Sequence, residues 1–227
     1  MARSEFDYRL ATLRNETLAL GALAATAVER AIGAWQEDDR HAAEAIVADD
    51  RIIDERHAAI QREAVVTLAT QQPTAGDLRA IIAALAIGGE LERIGDYATG
   101  TANLILRAPA GEPALPLPPS HPFFRMARGA VSMLRRSLEA YAARDSAKAR
   151  RIWGEDEDVD RLQRELYREL LLSMMENPGT LTRATHLLWI VHNLERVADR
   201  ATNICEQTIF MTDGPWPDLH TPPGREG

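Results

Sequence analysis

The chain carries one segment twice, and this duplication limits the folds that it can adopt. LERIGDYAT at residues 91–99 matches LERVADRAT at residues 194–202 in six of nine positions, at an offset of 103. Two aspartates upstream of the first segment recur upstream of the second at an offset of 106: Asp50 recurs as Asp156 and Asp54 as Asp160. A longer turn around Pro73 than around Pro178 explains the difference between the two offsets. The sequence therefore predicts two similar halves, each built on the same helical unit.

The positions of the prolines show where long helices can run. Of the twelve prolines, six crowd residues 109–122 and four lie in residues 215–223, while Pro73 and Pro178 stand alone. Proline breaks a helix interior, so the long stretches without proline are open to helix. Apolar residues recur at helical spacing along these stretches. With 5% aromatic residues, the composition also favours helices over a sandwich or barrel of short strands.

These signals predict an all-α fold of two tandem three-helix bundles, with six long helices related by internal duplication. The helices of the second bundle are predicted over residues 123–143, 145–176 and 180–212. The predicted organisation is a first three-helix repeat, a stiff Pro-rich linker, a second three-helix repeat and a loose tail, over residues 1–108, 109–122, 123–212 and 213–227 respectively. We expect two separate bundles joined by the stiff linker.

The composition argues against several classes of protein. With 45% hydrophobic and 26% charged residues, the chain can build a packed core. A net charge of −8 argues against nucleic acid as the main partner, because phosphate binding requires a basic surface. The single cysteine, Cys205, cannot form an internal disulfide, and the N-terminus lacks the apolar core of a secretory signal. The longest apolar stretches fall short of the roughly 20 residues that a bilayer crossing needs, so we expect a soluble cytoplasmic protein.

Each half contains two pairs of acidic residues spaced four apart, which places each pair on one helix face. The pairs are Asp50 with Asp54 and Glu92 with Asp96 in the first half, and Asp156 with Asp160 and Glu195 with Asp199 in the second. Like charges at this spacing destabilise a helix unless a cation lies between them. Two such pairs on adjacent helices would bring four carboxylates together, an arrangement that Mg, Mn or Fe ions favour. Without these eight acids, 26 Asp and Glu balance 26 Lys and Arg.

The residues around the acids leave two interpretations open. The acids could form a solvated acidic face in which Arg93, Arg196 and Arg200 are ion-pair partners. Repetition of the same acids in both halves favours metal instead. Four glycines on the third helix would allow close approach of a metal or another backbone, and four polar residues on the sixth helix could extend a metal shell. These are Gly88, Gly89, Gly95 and Gly100, and His192, Thr202, Asn203 and Glu206.

The repeated LERIGD and LERVAD segments and the paired aspartates upstream, together with DLR at residues 77–79 and Phe6, resemble the PhoU family of phosphate-signalling proteins. The resemblance spans roughly residues 5–212. It implies an all-helical protein of two similar three-helix bundles whose acidic motifs bind multinuclear metal clusters, often of iron, with manganese, magnesium or zinc as alternatives. The implied metal ligands are Asp50, Asp54, Glu92 and Asp96 for one cluster, and Asp156, Asp160, Glu195 and Asp199 for the other.

The resemblance also implies a role. Family members act without catalysis in the cytoplasm as negative regulators of the phosphate-starvation response and of phosphate uptake. They link the ATPase of the phosphate ABC transporter to a phosphate-sensing histidine kinase, commonly form homodimers, and reach the membrane only through these partners.

Two other kinds of protein would account for some of these features. A di-metal carboxylate oxidase or storage protein also brings acids together from several helices, but that fold uses Glu-x-x-His on two helices. No Glu lies three residues before any His in this chain. A helical scaffold without metal is the third possibility. Unchanged stability and partner binding in a metal-free preparation would support it.

Overall fold

The computed structural model describes residues 2–108 and 117–214, and every regular element in that part is helical. The helices are α1 Ala2–Glu37, α2 Arg40–Thr70, α3 Ala75–Arg107, α4 Pro122–Ala143, α5 Ser146–Trp153, α6 Asp156–Glu176 and α7 Leu181–Asp213, with one 3₁₀ turn at Pro178–Thr180. The all-α prediction is confirmed. Most of the predicted linker, residues 109–116, and residues 215–227 of the predicted tail lie outside the described residues.

The first turn of each half has the same backbone structure. Asp38 and Arg144 both have a positive φ, 52° and 53° respectively, and they correspond at the offset of 106. The next residue caps the following helix in both halves: Asp39 accepts a hydrogen bond from the Ala42 amide at 2.9 Å, and Asp145 accepts one from the Lys148 amide at 2.8 Å. The duplication seen in the sequence therefore extends to the turn.

The prediction of one continuous helix over residues 145–176 is wrong, because α5 ends at Trp153 and α6 begins at Asp156. Local charge explains the break. The last turn of α5 is basic and the first turn of α6 is acidic, which stabilises a helix end followed by a helix start. Between them, Arg136 of α4 donates to both carboxylate oxygens of Glu155, at 2.5 and 2.6 Å, and holds the connection against the bundle.

The expectation of separate bundles is also wrong. α1, α2 and α3 pack together as the first bundle, and α4 to α7 form the second, but α3 packs along α7 and α1 contacts α4. One cluster of buried apolar side chains extends through both halves. The apolar stripes of the third helices are too wide to be covered within one bundle, so each covers the other.

The contact between α3 and α7 has an internal twofold symmetry. Asn203 donates to Glu90 at 3.1 Å, and the pair at the corresponding positions, Gly100 and Asn193, also meets across the helices. Arg200 forms an ion pair with Glu90 at 3.1 Å, and its counterpart Tyr97 accepts a hydrogen bond from Asn193 through its carbonyl oxygen at 3.4 Å. The two halves are thus related by a twofold axis that crosses the middle of this helix pair.

One helix meets the length and hydropathy of a membrane span. Residues 4–37 of α1 contain a window of mean hydropathy 1.2, of which 44% is buried inside the fold. The buried core helix of a water-soluble protein has the same length and composition. In this structure α1 packs against α2, α3 and α4, which cover its apolar face.

The contact between α2 and α3 and the corresponding contact between α6 and α7 use different pairs of side chains with the same total number of carbon atoms. A Cβ added at Gly95 of α3 would lie 2.9 Å from Cδ1 and 3.0 Å from Cγ2 of Ile53 on α2. The corresponding positions in the second half hold Ala198 and Val159, both buried. One methyl group has therefore moved from one side of the contact to the other.

This exchange predicts strong coupling between the two positions. Gly95→Ala should lower the free energy of unfolding by about 1 kcal/mol, because the clash with Ile53 exceeds the gain in helix propensity. Adding Ile53→Val should restore stability, although Ile53→Val alone should cost about 1 kcal/mol. Urea unfolding of the two single variants and the double variant measures the coupling. Additive effects of the two substitutions would contradict this account.

Candidate functional site

The first quartet consists of Asp50, Asp54, Glu92 and Asp96, and the structure brings these side chains together between α2 and α3. Burial raises the pKa of Asp50, a hydrogen bond from Thr99 opposes the rise, and the negative charges of Asp54 and Asp96 add to it. Burial likewise raises the pKa of Glu92, and the nearby charge of Asp96 raises it further. Gly95 lies beside this quartet, and a Cβ there would be in ordinary contact with Asp50 Oδ1, at 3.7 Å.

The second quartet consists of Asp156, Asp160, Glu195 and Asp199, and it lies between α6 and α7. Burial, followed by the charges of Asp160 and Asp199, raises the pKa of Asp156 to about 6. Burial and the charge of Asp199 raise the pKa of Glu195 to about 7, although Arg196 opposes the rise. The pKa of Asp199 is also raised, mainly by burial. The predicted residues of each half are therefore neighbours that repel one another.

The two quartets differ in their exposure to water. Asp54 is exposed, and the side chain of Asp96 is 42% exposed against 27% for its counterpart Asp199. Oδ1 of Asp156 and Oε2 of Glu195 are buried and have no hydrogen-bond partner. A buried carboxylate oxygen without a partner is costly, and a proton or a cation would relieve that cost. This requirement is therefore strongest in the second quartet.

Arginines satisfy part of each quartet, as the alternative of a solvated acidic face predicts. Arg93 donates to Asp96 at 3.3 Å and lies 3.7 Å from Glu92. Arg196 forms an ion pair with Asp199. Arg200 is directed away from the quartet to Glu90 of α3. Arg164 also lies 3.9 Å from Asp160, so one arginine meets the first quartet and two meet the second, and part of the negative charge of each stays uncompensated.

A cavity of about 580 Å³ adjoins the second quartet, and three of its acids, Asp156, Asp160 and Asp199, line it. Thr202, Asn203 and Glu206 line it too, as expected for residues that could extend a metal shell. His192 does not line the cavity, but its Nδ1 lies 3.5 Å from Glu195 Oε2. The sequence did not indicate Trp153, which lines the cavity and donates to Glu206 at 3.3 Å.

The four glycines of α3 have separate surroundings. Gly95 allows the close packing of Ile53, and Gly100 faces Asn193 of α7 at 3.6 Å. Gly88 lies beside His57, and a Cβ at Gly89 would meet nothing within 4 Å. The prediction of close approach thus holds at Gly95, in the packing of α3 against α2.

The residues of each quartet suit a hard cation in their chemistry. Carboxylates are the ligands that Mg, Mn and Fe ions prefer, and the two buried oxygens without a hydrogen-bond partner offer lone pairs to a cation. In the described part of the chain, however, no three His, Cys, Asp or Glu side chains are placed closely enough to hold one ion. Metal binding at either quartet would require these side chains to move closer together.

Exposed apolar residues form a second repeated feature, which the sequence analysis missed. The first apolar corner, where α2 meets α3, consists of Val65, Val66 and Leu78. The second apolar corner, where α6 meets α7, consists of Leu171, Leu172 and Leu181. All six side chains are between 38% and 61% exposed, and each in the first corner corresponds to one in the second at the offsets of 106 and 103. The repeat itself was the signal that could have revealed them.

Together, the fold and the site define a class: duplicated all-helical proteins with a carboxylate quartet between two helices of each half. The chain belongs to the PhoU family, because the model of the PhoU domain matches it twice, over residues 17–105 and 123–208. One match covers each half of the structure.

Relatives and solved structures agree with this assignment. A phosphate-specific transport system accessory protein PhoU homolog of Rhizobium meliloti strain 1021 is 36% identical over 219 residues, covering 96% of this chain and 92% of that protein. Another PhoU homolog, of Caulobacter vibrioides strain NA1000, is 38% identical and covers 92% and 90%. The crystal structure of the phosphate transport system regulatory protein PhoU from Streptococcus pneumoniae has a TM-score of 0.84 at 30% identity, covering 94% and 100%. PhoU from Pseudomonas aeruginosa has a TM-score of 0.84 at 31% identity, covering 92% and 100%.

The raised pKa values of Asp156 and Glu195 predict how the stability of the metal-free protein depends on pH. The folded state holds protons that the unfolded state has released, so this contribution is complete below the ordinary carboxyl pKa and is lost as the pH rises through about 6 and about 7. Chelator-treated protein should therefore melt about 5 °C higher at pH 5 than at pH 8. Asp156→Asn with Glu195→Gln should melt higher than wild type at pH 8 and flatten the pH profile. The same dependence of melting temperature on pH in both proteins would contradict the raised pKa values of Asp156 and Glu195.

Proposed function

We propose that this chain is a regulatory accessory protein of a phosphate-specific transport system, acting in the cytoplasm without catalysis. It restrains phosphate uptake and the phosphate-starvation response when phosphate is plentiful, as an adaptor between the transporter ATPase and a phosphate-sensing histidine kinase. The observation that carries this proposal is the PhoU domain matched over both halves. The relatives are described as accessory proteins of phosphate-specific transport systems, and the −8 charge favours protein partners over nucleic acid.

Metal binding at both quartets is part of the proposal. Iron is the first choice, with manganese, magnesium or zinc as alternatives, because four carboxylates offer only oxygen ligands. The support is the negative charge that the arginines leave uncompensated in each quartet and the two buried oxygens without a hydrogen-bond partner, Asp156 Oδ1 and Glu195 Oε2. A bound cation would supply positive charge between helices that otherwise repel each other. The acids would hold the cation, and the second helix of each half would then be fixed against the third.

The apolar corners are the surface that we assign to partner binding. Exposed apolar side chains that cluster on a soluble surface mark interaction sites. The transporter ATPase is the partner that we assign to them, since the relatives are named for the phosphate transport system. A homodimer remains part of the proposal, independent of these corners.

Metal content tests the quartets directly. Elemental analysis of wild type should show metal that is lost from one half when its quartet is changed to Asn and Gln and is kept in the other half, because the two quartets lie on different helix pairs. Changing Glu5 and Asp158 to Gln and Asn, two exposed acids outside the quartets, gives a matched control that should keep the full metal content. Metal that is equal in wild type and in both quartet variants, or absent from all three, would show that the quartets are only a solvated acidic face.

A deletion strain tests the regulatory role. Loss of the gene should derepress a phosphate-starvation reporter in phosphate-replete medium, and the wild-type chain should silence it again. Leu171→Asp with Leu172→Asp should fail to silence the reporter and should lose copurification with the transporter ATPase, because two charges replace an apolar contact. Tyr8→Asp, at a side chain 72% exposed and outside both corners, is the control and should behave as wild type. A reporter that stays silent in the deletion strain would contradict the proposal.

A further inference from the structure

A second cavity lies far along α3 from the first quartet and has no role in the proposed function. It has a volume of about 270 Å³ and lies among α1, the start of α3, the end of α4 and α7. Its floor is apolar and its charged residues are four, namely Asp7, Arg14, Asp77 and Arg144. Small-molecule sites commonly combine an apolar lining with a few polar groups that point inward.

At the corresponding helix ends of the second half, an arginine stands where the first half has Ala80. Arg183 of α7 donates to both carboxylate oxygens of Asp38, at 3.0 and 3.2 Å. Its side chain is 5% exposed, and its guanidinium carbon lies 5.9 Å from the centre of the Trp35 ring. In this half, therefore, a guanidinium group from the protein itself occupies the space between the helices and is paired with a carboxylate.

In the first half the space between the helices is an open cavity, and the charge beside it is reversed. Tyr141 stands in place of Trp35, Arg144 in place of Asp38 and Ala80 in place of Arg183. Ala80 is too short to fill the space, and Arg144 brings positive charge where Asp38 brings negative charge. The buried Tyr141 lies between Arg14 and Arg144, whose charges both act on its phenol.

Both arginines are available to a ligand. Among residues 4–108 and 117–214, the side chains of Arg14 and Arg144 make no hydrogen bond and no ion pair. Both are exposed at the mouth of the cavity. A guanidinium group recognises carboxylate and phosphoryl oxygens through paired hydrogen bonds. Asp77, which accepts a hydrogen bond from Thr74 at 2.7 Å, lines the same cavity and offers an acceptor to hydroxyl or ammonium groups.

We propose that this cavity binds a small organic anion, with its phosphoryl or carboxylate group on Arg14 and Arg144 and its hydroxyl or ammonium groups towards Asp77. The ligand takes the place that the side chain of Arg183 takes in the other half, with the charges reversed. An inorganic anion without hydroxyl groups, such as sulfate, would use the arginines alone and would offer no donor to Asp77, so it should bind more weakly.

Calorimetric titration of the full chain with glycerol 3-phosphate and with glutamate tests the proposal, and sulfate is the comparison. At least one organic anion should bind about tenfold more tightly than sulfate, a difference of about 1.4 kcal/mol. Ala80→Arg with Arg144→Asp transplants the internal pair of the second half and should abolish this binding. Asp tolerates the positive φ of position 144, as Asp38 shows at 52°.

Further variants guard against misfolding and against binding elsewhere. Arg144→Asn keeps the turn and should weaken binding about tenfold. Arg128→Asn, at an exposed arginine without an ion pair in the described part of the chain, should leave binding unchanged. Absence of heat with both organic anions overturns the proposal. So does an unchanged affinity in the Ala80→Arg, Arg144→Asp variant, which would place the anion at a quartet metal or on the general surface.

Discussion

The packing of α3 against α7 is the contact on which the rest of the structure depends. Each half brings a third helix whose apolar face is wider than its own bundle covers, and the two faces bury each other about an internal twofold axis. Polar side chains at the edges, with Glu90 accepting from Asn203 and pairing with Arg200, fix how the helices meet. Because Glu92, Asp96, Glu195 and Asp199 lie on these same two helices, the contact also sets where both quartets stand.

Burial turns the quartets from a sequence pattern into a site. Four carboxylates in water would remain charged at little cost, but packing between helices removes part of their solvation and lets them repel one another. Asp156 and Glu195 show the largest effect, with pKa values of about 6 and about 7. A site of this kind needs protons or cations to be stable, so its occupancy responds to the composition of the solution. That property suits a regulator better than a rigid scaffold.

The sequence predicted the helices better than it predicted the contacts between them. The duplication, the proline positions and the helical spacing predicted the long helices, except that α5 and α6 were expected as one helix. The equal spacing of the acids predicted which carboxylates are neighbours in both quartets. The break at Gly154 was missed because the apolar stripe continues across it, and only the change from basic to acidic side chains marks it. The α3 contact with α7 was missed because an apolar stripe shows that a face is buried without showing what buries it. The pKa shifts depend on burial, which spacing alone cannot supply.

The exchanged methyl group between α2 and α3 has a consequence for how such a protein can change. Ile53 fits Gly95 in one half, and Val159 and Ala198 occupy the same places in the other. A single helix copied from one half to the other would bring either two large or two small side chains together, leaving a clash or a hole. A copied hairpin would carry both members of the pair. The smallest interchangeable part of this protein is therefore the two-helix hairpin, and recombination within it would be selected against.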